Sequence, residues 1–214
     1  MPHLTLLGDS ATSPFNCKVR IVLDEKKLPY DYMPHSLAGG EANRVIKLNP
    51  LSKIPVLVVD DQEAIFDSRV IIEYLEYLSP SPALLLTGME RVRVRRWEAL
   101  ADGICEAGRT CKFEYKRSHI DQEIIRRHSG KYVRGLEWVS TLLGDQQWCH
   151  GNAFSLADIA IGTAIAWIGF HYPDNDPRKR HGNLDALYQR LMKRPAFALA
   201  TEAFNRTESA HASH

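Results

Sequence analysis

The run Ser79-Pro80-Ser81-Pro82 divides this chain into two stretches whose apolar residues follow different periods. Proline cannot continue a helix and pushes the residue before it into extended backbone, so two such steps in four residues start a linker. Ahead of it, short apolar runs alternate with helical ones. Residues 3–7 read as a strand, closed by a small polar turn over 8–13. Pro14 stands where the first helical residue belongs, with Ser13 as N-cap. Val19, Ile21, Val22 and Leu23 give that helix an apolar face, and Leu28-Pro29 stops it. Residues 30–33 form a second strand, 41–48 a short helix closed by Asn49-Pro50, 55–59 a strand, 60–63 a turn and 64–66 its hairpin partner. From Ser68, the residues Val70, Ile71, Tyr74, Leu75 and Leu78 recur at helical spacing. Strand, helix, strand, helix, hairpin, helix is an α/β unit, which we bound at residues 1–79, with a linker over 80–88.

From residue 89 to 214 no strand pattern follows, and this second domain is expected to be all helical. Two long helices span about 90–116 and 121–143, the second with Leu136, Val139, Leu142 and Leu143 as its buried stripe. A third, over 155–169, is nearly apolar all round and should run through the domain core. Segments 184–193 and 196–204 complete the chain around Pro195, with 172–177 as a connector and His211 and His214 in a polar tail that frays.

Lys and Arg number 27 against 26 Asp and Glu, which leaves no net field to attract nucleic acid or an anionic membrane. The densest basic run, Arg91, Arg93, Arg95 and Arg96, alternates with Val92, Val94 and Trp97 and reads as a solvated helix face. Residues 1–7 carry no cationic leader, and the longest uncharged run, 159–170, is about half of what a bilayer crossing needs. Cys17, Cys105, Cys111 and Cys149 show neither a Cys-x-x-Cys pair nor zinc-ligand spacing, which fits a reduced, cytoplasmic compartment and predicts no metal site.

Three features carry chemistry when taken together. Ser13-Pro14-Phe15 sits between a strand and a helix, where backbone N–H groups and the positive end of the helix dipole stabilise a thiolate. Read alone, Ser13 caps the helix; in concert with a bound thiol it donates a hydrogen bond to sulfur. Lys53-Ile54-Pro55 opens a strand with proline, which implies an edge position or a cis bond. A cis bond would leave the main chain of Ile54 free to pair with an extended peptide ligand. Asp67-Ser68 heads a helix, where the pair serves as a cap or receives the ammonium and carboxylate of an α-amino acid.

With these residues in this order, the chain resembles the cytosolic glutathione transferase superfamily over nearly its whole length. Ser13-Pro14-Phe15 is similar to the catalytic turn of serine-type members such as the tau and zeta classes and related bacterial proteins. Asn49-Pro50, Ile54-Pro55 and Asp67-Ser68 match the glutathione-binding loop, the cis-proline and the γ-glutamyl-binding pair, which in the family is more often Glu-Ser. Ser155-Leu156-Ala157-Asp158 matches the capping box of the core helix, with Phe154 and Ile159 as a hydrophobic staple. The resemblance implies a thioredoxin-like α/β domain before an all-α helical bundle, glutathione as co-substrate, no metal, a homodimer and a role in detoxification.

It also assigns roles. Ser13 would stabilise the thiolate as it attacks a small hydrophobic electrophile. Phe15 would pack beside the turn, and Ile54 would bind the cysteinyl main chain. Asp67 and Ser68 would hold the γ-glutamyl end. Lys53 either reaches a glutathione carboxylate or is a solvated surface lysine. Arg109, Cys111 and Tyr115 are candidates for the electrophile's side. In redox relatives cysteines fall at the positions of Ser13 and Asn16, so Cys17 reads as a small buried residue, and Thr12 is a further hydroxyl just before the cap. Glutathione-dependent disulfide or peroxide reduction, and a non-catalytic binding module, are the alternatives.

Overall fold

The computed structural model describes residues 1–9, 13–34 and 42–205, with the backbone alone at 42 and 43. Thr12, His211, His214 and residue 41 of the expected short helix therefore lie outside the described residues. Four strands, β1 (Leu4–Gly8), β2 (Asp31–Pro34), β3 (Val56–Val59) and β4 (Glu63–Ile65), form one mixed sheet in the order β2-β1-β3-β4. β2 runs parallel to β1, which demands a crossover, and α1 (Pro14–Glu25) supplies it. β3 and β4 pair antiparallel through the turn in which Asp60 and Asp61 take positive φ.

Alternation along the central strands divides the core. Leu4 and Leu6 of β1, with Leu57 and Val59 of β3, face one way and pack under α1 and α3 (Ser68–Leu78). Leu7 and Val56 face the other way, against Val45 of α2 (Ala42–Leu48). Ahead of Leu28-Pro29, α1 ends in a Schellman arrangement: Lys27 adopts φ 53° while the Leu28 and Lys27 N–H groups donate to Leu23 O (3.0 Å) and Asp24 O (3.1 Å).

The Ser79–Pro82 run is held in place from both sides. Lys26 Nζ donates to Ser79 O at 2.6 Å and Pro82 O at 2.8 Å, and Glu76 Oε1 accepts from the N–H groups of Leu84 and Leu85. Beyond it every regular element among the described residues is helical: α4 (Gly88–Glu114), α5 (Gln122–Leu143), α6 (Leu156–His171), α7 (Pro177–Arg180), α8 (Gly182–Met192), α9 (Pro195–Ala200) and α10 (Glu202–Asn205). α6 is buried from Leu156 to Gly169, as its all-round apolar character requires. The capping box is present: Asp158 Oδ2 accepts from the Ser155 N–H at 2.8 Å, while Oδ1 accepts from that of Cys149 at 2.7 Å.

Two stretches differ from the sequence reading. The connector at 172–177 contains a 3₁₀ turn (Pro173–Asn175) and leads into α7, which Asp176 caps by accepting from the Arg178 N–H. The last expected helix is two, because the Thr201 hydroxyl folds back onto Phe197 O (2.8 Å) and α9 ends there. The basic run of α4 meets carboxylates: Arg91 and Arg95 pair with Glu73, Arg93 with Glu90, and Arg95 again with Glu98.

Candidate active site

The site begins where β1 hands over to α1. Ser13 caps the helix in extended backbone, and its Oγ accepts the Asn16 N–H at 3.3 Å. That contact occupies one lone pair of the hydroxyl and leaves its O–H as a donor. Behind it, Asn16 is fully buried: Nδ2 donates to the Tyr32 hydroxyl (3.1 Å), which donates to Gly8 O (2.9 Å). The last residue of β1 and the first turn of α1 are thereby fixed to each other through β2.

A cleft of about 100 Å³ opens beside this turn. Phe15 lines it from α1, Lys53 and Ile54 from the segment entering β3, Asp67 and Ser68 from the head of α3, and Glu106 with Arg109 from α4. Ser13 is not among the lining residues; Phe15, two positions on, is. The Ile54-Pro55 bond is cis and β3 is an inner strand, so of the two readings of Pro55 the cis bond is the one observed. Asn49 shapes the loop before it, with Nδ2 donating to Lys53 O (2.8 Å) and Oδ1 accepting from the Leu51 N–H (3.0 Å).

Asp67 caps α3, its Oδ1 accepting the Arg69 N–H at 2.8 Å, and Ser68 Oγ lies 3.5 Å from the same oxygen. Burial pushes the Asp67 carboxyl up, but the Arg69 N–H and guanidinium outweigh it and hold the group below the usual carboxylate range. Asp67 is therefore an anion at the cleft.

Of the three residues expected on the electrophile's side, Arg109 alone lines this cleft, with its guanidinium 5.7 Å from the Phe15 ring centre and 5.6 Å from that of Phe113. Cys111 is buried, its thiol directed at Ile125 O, because its position on α4 faces α5. Tyr115 is exposed at the C-cap of α4 and also lies off the cleft. Cys17 is fully buried, donates to Ala200 O at 3.1 Å, and has its thiol pushed up to about 12 by burial, the opposite of nucleophile activation. Among the described residues no group of three or more His, Cys, Asp or Glu side chains is arranged to hold a metal ion.

The sequence reading overlooked Glu106 and a chain of charges that runs from buried Lys18 and Glu98 out to exposed Arg69 and Asp67. Lys18 Nζ lies 2.8 Å from Glu98 Oε1 and 2.7 Å from Asp102 Oδ1; Arg69 Nε stands 3.9 Å from Asp102 Oδ2 and 3.4 Å from Asp67 Oδ1. Burial pulls the Lys18 ammonium down, but Asp102 and Glu98 together hold it above the usual lysine range. No signal in the sequence separates Lys18 from a solvated lysine, since its partners lie some 80 residues away.

The family model described as glutathione S-transferase, N-terminal domain, matches residues 7–83, and that of the C-terminal domain matches 122–190. The GST-like protein YibF of Escherichia coli (strain K12) is 35% identical over 199 residues, which cover 91% of this chain and 96% of that one. Maleylacetoacetate isomerase of Pseudomonas aeruginosa is 37% identical over 155 residues, 67% of this chain and 72% of the relative. A glutathione S-transferase from Methylobacillus flagellatus KT, solved with glutathione bound, superposes with a TM-score of 0.88 at 38% identity, over 92% of this chain and 98% of its own.

Proposed function

Because the chain belongs to the cytosolic glutathione transferase superfamily, we propose that it is an enzyme that binds glutathione in the cleft beside α1 and transfers its sulfur to a small electrophile. The observation that carries this reading is the convergence of Phe15, Lys53, Ile54, Asp67 and Ser68, remote in sequence, on one cleft. In it, Asp67 takes the glutathione ammonium and Ser68 with the first N–H groups of α3 takes the adjoining carboxylate. Lys53 takes the carboxylate at the other end. The sulfur then rests at the N-terminus of α1, where the Ser13 O–H and the helix dipole stabilise the thiolate. Residues 1–79 hold glutathione in this scheme, and the helices of 89–214 supply the wall that meets the electrophile.

Retention on immobilised glutathione, followed by turnover of an aryl halide, tests the proposal. A protein that washes through overturns it. Glutathione-dependent isomerisation is a second reading, favoured by the relative named maleylacetoacetate isomerase. It shares the first step, sulfur adding to carbon, but then expels the sulfur, so glutathione is recovered undiminished.

We further propose a cytoplasmic homodimer. Exposed Val70 and Tyr77 on α3, with Met89 and Val92 on α4, are the apolar surface offered for pairing. Sedimentation of a single 24.3 kDa species would refute the dimer.

A further inference from the structure

Resting on that reading of the cleft, we infer that the second substrate carries a carboxylate, received by Arg109 and Lys112 of α4. The two stand three residues apart, hence on one side of the helix. Arg109 lines the same cleft as Lys53 and lies over the rings of Phe15 and Phe113, which offer an apolar surface to the body of the same substrate. Lys112 is half-buried, with Nζ 3.2 Å from His171 Nε2 and 5.9 Å from the Trp167 ring centre. It feels the charge of Asp9, the residue just past β1 in the stretch that leads to Ser13.

Among the described residues, neither cation lies within ion-pairing distance of a carboxylate, whereas Lys18 and Arg69 each meet two. Burial and the like charges of Lys116 and Arg109 push the Lys112 ammonium down, and Asp9 offsets them only in part. In the proposed glutathione pose both carboxylates of the tripeptide are already matched, by Lys53 and by the head of α3. The positive charge on α4 is left for the acceptor. Glu106 lines the cleft one turn before Arg109 and repels an anion there, which directs the acceptor's carboxylate toward the Lys112 end.

For an unsaturated acid the step balances without a co-reactant. The thiolate forms the C–S bond at the β-carbon, the π pair moves to the α-carbon, and that carbon takes a proton in place of the one the thiol released. The product is a carboxyalkyl thioether of glutathione.

The test compares S-(2-carboxyethyl)glutathione with its neutral isostere S-(2-carbamoylethyl)glutathione by calorimetric titration. The carboxylate form should bind about tenfold tighter to the wild type, with the ratio falling as salt is added, and the R109M/K112M double variant should bring the ratio close to one. Equal binding by the wild type, or a ratio that survives the double substitution, overturns the inference. Parallel loss of both affinities at a constant ratio overturns it too, by assigning the two cations to glutathione itself while the reading of the cleft stands. If neither conjugate nor glutathione binds, it is that reading that fails. Should the double variant not fold, R109Q and K112Q singly, with the salt dependence of the wild-type ratio, decide the matter.

Discussion

Lys18 Nζ on α1 lies 2.8 Å from Glu98 Oε1 on α4, and both side chains are closed off from solvent. Asp102 Oδ1 approaches the same ammonium at 2.7 Å, so one cation holds two carboxylates in the seam between the α/β half and the helical half. Taking these charges out of water costs several kcal/mol each, and their mutual attraction offsets that only while all are present. Lys18→Met should therefore lower unfolding free energy by about 3–5 kcal/mol, because it leaves Glu98 with Arg95 alone and Asp102 with no cation closer than Arg69 Nε at 3.9 Å. Lys18→Met combined with Asp102→Leu should recover part of the loss. Denaturant titration measures both, and a loss below about 1 kcal/mol for the single variant would show that the seam does not depend on this lysine.

Ser13→Ala separates capping from chemistry. Loss of the cap costs about 1 kcal/mol of stability. Loss of the donor to sulfur should cost about a hundredfold in turnover, and the apparent pKa of the bound thiol should rise toward the free-thiol value of about 8.5. Thiolate absorbance as a function of pH, recorded on the glutathione complex, reports the latter directly. Unchanged ionisation would place the role on another group.

Asp67 caps α3 and, in the proposed site, faces the glutathione ammonium, two roles that substitution can pull apart. Asp67→Asn keeps an oxygen for the Arg69 N–H and so preserves the cap, while Asp67→Ala removes it. Both should raise the Michaelis constant for glutathione by removing the anion that faces its ammonium, and only the alanine variant should loosen α3. The carboxyl titrates below an unfolded aspartate, so its stabilising contribution is complete above the ordinary aspartate range and is lost as pH falls through it and below. Asp67→Asn should flatten the acid limb of the stability profile. A Michaelis constant unmoved by either substitution would remove Asp67 from the site.

What could be read from the chain was whatever is encoded locally. Ser13-Pro14, Asp67-Ser68 and Ser155-x-x-Asp158 announce helix starts because caps act over three or four residues, and all three cap the helices expected of them. The short apolar runs of β1 and β3 foretold strands, whose pleat sends Leu6 and Leu7 to opposite faces, although not which helices would cover each face. Long-range matters were closed to the same reasoning. Lys18 sits among apolar neighbours with no local mark of its distant partners, and Cys111 was placed near the electrophile because the phase of a 27-residue helix cannot be carried along its length from composition. Arg109 and Lys112 acquire meaning only once α4 is laid against Phe15 and α6.

Gly8 is the tightest local constraint on the site, and its removal makes a sharp test. A Cβ added there would fall 1.9 Å from Asn16 Oδ1, well inside any permitted contact. Asn16 cannot yield cheaply, because it is fully buried and its Nδ2 is engaged with the Tyr32 hydroxyl, which in turn donates to Gly8 O. Relief must come from a shift of β1 against the first turn of α1, the very turn that carries Ser13. Gly8→Ala should destabilise the fold by about 1–3 kcal/mol and lower turnover beyond what stability explains, through displacement of the Ser13 hydroxyl. Gly8→Ala with Asn16→Ala removes the collision and should restore much of the turnover even though the Tyr32 contact is lost. If the double variant is no more active than Gly8→Ala alone, the fit between Gly8 and Asn16 is not what positions the catalytic turn.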